Sequence, residues 1–174
     1  MTVYFISDTH FGHGWALRFR ARPFPSLDAM DEAMVERWNE TVGPDDTIWH
    51  LGDFAQGRGA GFAARILSRL NGRKHLILGN NDDAETAALP GWSSVGHYAE
   101  ITVEGVWLVL CHYPFRTWNG MYKGAINLHG HSHGRLAPMP RQLDVGVDVW
   151  DFRPITVERI VEATKTRRRA AARA

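Results

Sequence analysis

Short apolar runs recur along this chain, each followed by a carboxylate, imidazole or amide side chain, three of them by way of glycine. No other feature constrains the fold as much. The first run is Val3-Tyr4-Phe5-Ile6, whose β-branched and aromatic content reads as a buried strand. It stops at Ser7, and Asp8 and His10 follow with one residue between them, so an extended backbone projects both to one side. The pattern then repeats. Residues 47–51 lead into Gly52-Asp53, residues 75–78 into Gly79-Asn80-Asn81-Asp82, residues 106–112 finish at His112, and residues 125–129 run into Gly130-His131-Ser132-His133. Ligands of α/β folds collect at the carboxyl edge of the sheet, which is where such residues would sit.

The intervening segments set the fold class. Ser26 is a suitable N-cap, and Asp28, Asp31 and Glu32 suit a helix N-terminus. Leu27, Met30, Met34, Trp38 and Val42 fall at helical spacing, and Gly43-Pro44 ends that helix. A shorter helix carries Phe62, Ile66, Leu67 and Leu70 on one face and stops at Asn71-Gly72, whereas residues 12–25 read as a loop. Strands dominate the second half: a hairpin of 98–103 and 106–112 across Glu104-Gly105, then 125–129 and 143–149. Pro154 precedes a last amphipathic helix from 157 to about 164. Helices early and hairpins late predict an α/β (α+β) fold, two mixed sheets packed as a sandwich with helices on the outer faces. A single domain over residues 1–166 is expected, with 167–174 as a basic, flexible tail.

Composition narrows the function. The net charge is +1, but Arg167, Arg168, Arg169 and Arg173 lie in the last eight residues. The body therefore holds 16 of the 20 basic groups against 19 acidic ones, a balance of −3, which is not the surface of a dedicated duplex binder. Nucleic acid is not the expected partner. Cys111 is the one cysteine, so no internal disulfide forms and nothing argues for secretion. No basic leader with a hydrophobic run and no stretch of transmembrane length is present, so no membrane association and a cytoplasmic location are the default expectations.

Taken together, the residues that follow the apolar runs are Asp8, His10, Asp53, Asn80, His112, His131 and His133. Two carboxylates, one amide oxygen and four imidazoles exceed what a single ion takes from protein, and fit two ions that share a ligand. Mixed nitrogen and oxygen donors without thiolate suit Mn, Fe, Zn, Co or Ni rather than Ca or Mg. Two such ions, typically about 3.5–4 Å apart, activate an oxygen nucleophile and neutralise charge during displacement at phosphorus. For the other histidines, His50, His75, His97 and His129, structural roles are expected. Asp144, Asp148 and Asp151 are candidates to orient ligand imidazoles, with turn or solvent-facing roles the alternative.

The series Asp8-x-His10, Gly52-Asp53, Gly79-Asn80, His112 and Gly130-His131-x-His133 resembles the calcineurin-like metallophosphoesterases. The phrases Ile6-Ser-Asp-Thr-His-Phe-Gly-His13 and Leu128-His-Gly-His-Ser-His133 are similar to the small bacterial single-domain members. The resemblance implies a four-layer αββα sandwich. It also implies a ligand assignment: Asp8, His10 and His133 on one metal, Asn80, His112 and His131 on the other, and Asp53 bridging them with a hydroxide as nucleophile. Asp53, Asn80 and His112 would then serve catalysis directly, with Mn²⁺ the expected metal and Fe, Zn, Ni or Co as alternatives.

One departure bears on the substrate. Many members read Gly-Asn-His-Asp, and the histidine is taken as the acid that protonates the leaving oxygen. Here Asn81 stands in its place, and an amide cannot deliver a proton near neutral pH. A phosphodiesterase acting on small nucleotide-like or activated diesters is therefore expected rather than an alkyl monoesterase. His13 could substitute as acid. His13, Asn81, Arg116 and Trp118 are the expected substrate contacts, and Trp15, Trp118 and Trp150 are candidates to stack a nucleobase, with loop packing the alternative. Two rival readings stand beside this one: a nuclease or nucleic-acid end-processing phosphatase, and a non-catalytic metal-binding scaffold of the same fold.

Overall fold

A computed structural model describes residues 1–171, leaving out the side chains of Ala60 and of 166–171. The elements in chain order are β1 (Val3–Ile6), α1 (Gly14–Phe19), α2 (Leu27–Thr41), β2 (Thr47–His50), α3 (Ala60–Arg69), β3 (Arg73–Ile77), α4 (Ala84–Ala87) and β4 (Trp92–Gly96). There follow β5 (Tyr98–Val103), β6 (Val106–Cys111), β7 (Ile126–His129), β8 (Gln142–Asp144), β9 (Ile155–Thr156) and α5 (Val157–Ala171), with 3-10 turns at Met121–Lys123 and Val147–Val149. Both sheets are mixed. One has the order β4-β3-β2-β1-β9, parallel but for β9; the other has the order β5-β6-β7-β8, with β5 antiparallel to β6 and the rest parallel.

Three apolar layers hold them together. Met30, Met34, Trp38 and Leu67 from α2 and α3 pack on Ile6, Ile48 and Leu76 of the first sheet. Phe5, Leu51 and Ile77 meet Leu108, Leu110, Ile126, Leu128 and Leu143 between the sheets, joined by Val157 and Ile160 of α5. The far face of the second sheet is covered by Trp118 and Ala125, which close on Val109. Ser26 caps α2 as expected, its hydroxyl oxygen accepting the Ala29 N–H at 3.1 Å. No helix among the described residues is long and apolar enough to cross a membrane.

The structure corrects several expected elements. A six-residue helix, α1, lies inside the segment read as loop. It buries only Ala16, so its amphipathic signal is too weak to read. The edge strand β4, Trp-Ser-Ser-Val-Gly, was not expected, because its three central residues face solvent and carry no alternation. The strand expected over 143–149 ends at Asp144. Beyond it the backbone changes partner: Ser7 N–H donates to Val145 O at 3.1 Å and Val147 N–H to Ser7 O at 3.0 Å, tying the end of β1 to the second sheet. Helix α5 passes its expected end near 164 and runs to Ala171, and 172–174 lie outside the described residues.

Candidate metal centre

The seven residues singled out from the sequence converge at the carboxyl edges of both sheets. Asp8 and His10 follow β1, Asp53 follows β2, Asn80 follows β3, His112 follows β6, and His131 and His133 follow β7. Backbone bonds lace these loops together: Asp8 N–H to Gly52 O at 3.0 Å, His10 N–H to Asp53 O at 2.9 Å, and Gly130 N–H to His112 O at 3.0 Å. Asp8 (φ 58°), His10 (49°), Asp53 (59°), His131 (64°) and His133 (48°) all lie in the left-handed region, sparsely populated for residues with a Cβ. Five of seven candidate ligands thus hold an unfavourable backbone so that their side chains can face inward.

Two groups meet at Asp53. Around one, His10 Nε2 lies 3.9 Å and His133 Nε2 3.6 Å from Asp8 Oδ1. Around the other, Asn80 Oδ1 lies 3.2 Å from His112 Nε2 and 2.8 Å from His131 Nδ1. Asp53 turns Oδ2 to His10 Nε2 at 3.4 Å and Oδ1 to His112 Nε2 at 3.6 Å, one oxygen for each side. Hydrogen bonds at the opposite ring nitrogens select tautomers that leave lone pairs inward. His112 Nδ1–H donates to Leu51 O at 2.7 Å, and His133 Nδ1–H to Asp148 Oδ2 at 2.7 Å. His10 Nδ1–H faces His13 Nδ1 at 3.1 Å.

The electrostatics favour a bound cation. Burial, with Arg22, His133 and His13 nearby, pushes His10 down to about 2, so it stays a neutral donor. Burial, with His112 nearby, likewise lowers His131. Burial raises the Asp8 carboxyl, and the charges of Asp144 and Asp53 add to it; a metal ion would relieve this. His10 Nε2 is buried without a hydrogen-bond partner among the described residues. An inward nitrogen without a hydrogen-bond partner, 3.4 Å from a carboxylate oxygen, fits the role of a metal ligand. Among the described residues, two His/Asp groups have the spacing of a metal site, Asp8-His10-His133 and Asp8-Asp53-His112.

Residues 1–145 match the calcineurin-like phosphoesterase superfamily domain. The chain belongs to that family. An uncharacterized protein of Methanocaldococcus jannaschii is 28% identical over 168 residues, 92% of this chain and 89% of that one. The gene 66 protein of Mycobacterium phage D29 is 32% identical over 179 residues, 85% of this chain and 88% of its own. The crystal structure of a protein of unknown function from Aquifex aeolicus shares the fold, with a TM-score of 0.72 at 24% identity over 93% of this chain and 98% of that one. As a calcineurin-like phosphoesterase, the protein is a metal-dependent phosphohydrolase.

The remaining expectations divide. His13 lines a cleft of about 390 Å³ together with His10, Asp53, Asn80, Asn81, His131 and His133. Asn81 does more than line it: its N–H donates to Asp53 Oδ1 at 2.9 Å and its side-chain amide to Asp53 Oδ2 at 2.6 Å. Arg116 and Trp118 do not line the cleft. Trp118 is buried, its indole N–H bonded to Ala125 O at 3.0 Å, so the stacking expected of it is corrected to packing. His50 is structural, bonded to the Thr9 hydroxyl at 2.9 Å. Asp148 does orient an imidazole, whereas Asp144 binds the backbone N–H groups of Gly134 and Gly146, and Asp151 pairs with Arg37.

Two supports and two wall residues escaped the sequence reading. Asp82 accepts the N–H groups of Asp53, Phe54 and Gly79, each at 2.8 Å. Arg22 is bidentate to Asp148 at 2.8 and 3.0 Å and reaches Thr9 O at 2.8 Å and Asp8 O at 2.6 Å. Burial opposes ionisation of Asp148, yet the bonds from His133 and Arg22 together hold its carboxyl well below the usual range. Arg20 and Gln56 complete the cleft wall. The only sequence signal for Arg22 was its place in an arginine-rich loop; its 126-residue separation from Asp148 hid the pairing.

Proposed function

We propose that this phosphohydrolase is a phosphodiesterase acting on small nucleotide-like or activated phosphodiesters. Asp8, His10 and His133 would hold one transition-metal ion, Asn80, His112 and His131 a second, with Asp53 between them. The observation that carries this assignment is the Asp53 carboxylate, which offers one oxygen to each histidine group. When bound, two such ions supply an oxygen nucleophile near neutral pH and neutralise charge on the phosphoryl group. Mn²⁺ suits the mixed nitrogen and oxygen donor set.

The chain's own groups argue for a diester. Asn81 gives both its N–H and its amide to Asp53, so it holds that carboxylate in place and offers no acidic proton to a leaving oxygen. His13 is engaged with His10 through Nδ1, and burial, with Arg22 nearby, lowers its pKa despite the opposing pull of Asp53, which makes it a poor acid near pH 7. A substrate whose leaving group departs without protonation suits this wall. The test compares bis-p-nitrophenyl phosphate with p-nitrophenyl phosphate on Mn²⁺-loaded protein. The diester should be hydrolysed faster; equal or reversed rates would defeat the reading.

A further inference from the structure

The mouth of the cleft carries a cation whose partner is missing. Arg20 caps the C-terminal end of α1 and lines the cleft beside the candidate ligands. Its side chain makes no ion pair or hydrogen bond among the described residues, and its Nε is buried without a partner. An unsatisfied buried guanidinium nitrogen costs free energy unless a ligand meets it. The neighbours do not meet it. Burial lowers the Arg20 pKa, and Arg135, on the loop just after His133, lowers it further by like charge; Asp148 and Asp8 pull the other way but are already engaged. A guanidinium on the cleft wall without an ion-pair partner among the described residues suits a bound anion.

The group also rests on an aromatic ring. Its guanidinium carbon sits 4.7 Å over the Trp15 ring, a cation–π contact that steadies the group. Trp15 in turn stacks on Phe19 at 5.3 Å and on His13 at 5.9 Å, and His13 meets His10 at 5.1 Å with the rings tilted, a series of ring contacts from rim to candidate metal centre. Trp15 thus holds the guanidinium on the same cleft wall as the candidate ligands, as an anion subsite requires.

We propose that Arg20, steadied by Trp15, binds a second phosphate of the substrate, so that the enzyme prefers esters carrying a phosphate besides the one it hydrolyses. The proposal rests on the phosphodiesterase reading for the location of the scissile group, but the subsite itself is tested by binding alone. Mn²⁺-loaded full-length protein is titrated by calorimetry with thymidine 5′-monophosphate, thymidine 5′-diphosphate and thymidine 3′,5′-bisphosphate. One or both of the doubly phosphorylated ligands should bind about ten-fold or more tighter than the monophosphate, and Arg20→Ala should erase that preference. Which of them gains tells whether the second phosphate lies next to the first or across the sugar. Arg20→Gln carries the same expectation should the alanine variant fail to fold. Equal affinity for all three ligands in the unaltered protein, or a preference that survives both variants, overturns the subsite. Loss of all ester hydrolysis with the preference intact would instead sink the phosphodiesterase reading and leave the subsite standing.

Discussion

Asp8, His10, Asp53, His131 and His133 each carry a left-handed backbone that costs on the order of 1–3 kcal/mol, and each is held there by its neighbours. Asp148 shows how a single side chain does this. It accepts the Nδ1–H of His133 and both arms of Arg22, so it fixes a ring and ties two loops at once. Asp148→Asn should weaken Mn²⁺ binding about ten-fold or more while the chain stays folded, measured by calorimetric metal titration. Asn81→His tests the other residue-level claim. An imidazole at that position restores a proton donor, so the rate on p-nitrophenyl phosphate should rise relative to the diester; an unchanged ratio would remove Asn81 from the explanation of specificity.

Loops rather than strands decide whether the site closes, and one glycine limits how close they come. A Cβ on Gly130 would collide with Ser7 Oγ and Asp8 Oδ2, both on the loop after β1. Gly130→Ala should therefore push the loop after β7 off the one after β1, lower metal affinity and cost about 2 kcal/mol or more in a denaturant titration. Helix α2 makes its own contribution through Asp31, whose carboxylate accepts the Gly12 N–H at 3.0 and 3.2 Å. Burial raises its pKa from 3.8 to about 6, against the pull of the Gly12 bond and Arg58. The folded pKa lies above the unfolded one, so this group's stabilising contribution is complete below about 3.8 and is lost as pH rises through about 6. Relative to the unaltered protein, Asp31→Asn should gain stability from pH 5 to pH 8, widening the difference in Tm by roughly 3–6 °C in calorimetric scans.

At the scale of the whole molecule the site is the seam between two sheets. β1 and the segment after β8 exchange hydrogen bonds through Ser7, and Ser7↔Gly146 forms a bridge beside the candidate ligands. The candidate ligands come from both sheets, so a bound metal would link the halves of the sandwich. Removing metal with a chelator should lower Tm by roughly 5–10 °C against protein in Mn²⁺ at about a hundred times its Kd, and returning Mn²⁺ should restore it. A Tm indifferent to metal would show that the seam holds without it.

What the sequence determined by itself was local and periodic. Strands β1, β2, β3, β6 and β7 were legible because apolar runs end abruptly at glycine and polar residues, and α2 because Ser26 and its helical stripe of Met30, Met34 and Trp38 agree. The candidate ligands were legible for the same reason, since imidazoles and carboxylates in sequence order after strands have few packing explanations. Only the tertiary structure decided which groups support them. Arg22 and Asp148 are 126 residues apart, and Asp82 reaches back to Asp53 and Phe54 across 29 and 28 residues. It also withdrew Trp118 into the packing and brought Trp15 and Arg20 to the cleft mouth on a helix the sequence hid. Periodicity reports which face of an element is apolar; it carries no information about which distant side chain a polar group will meet once the faces are packed.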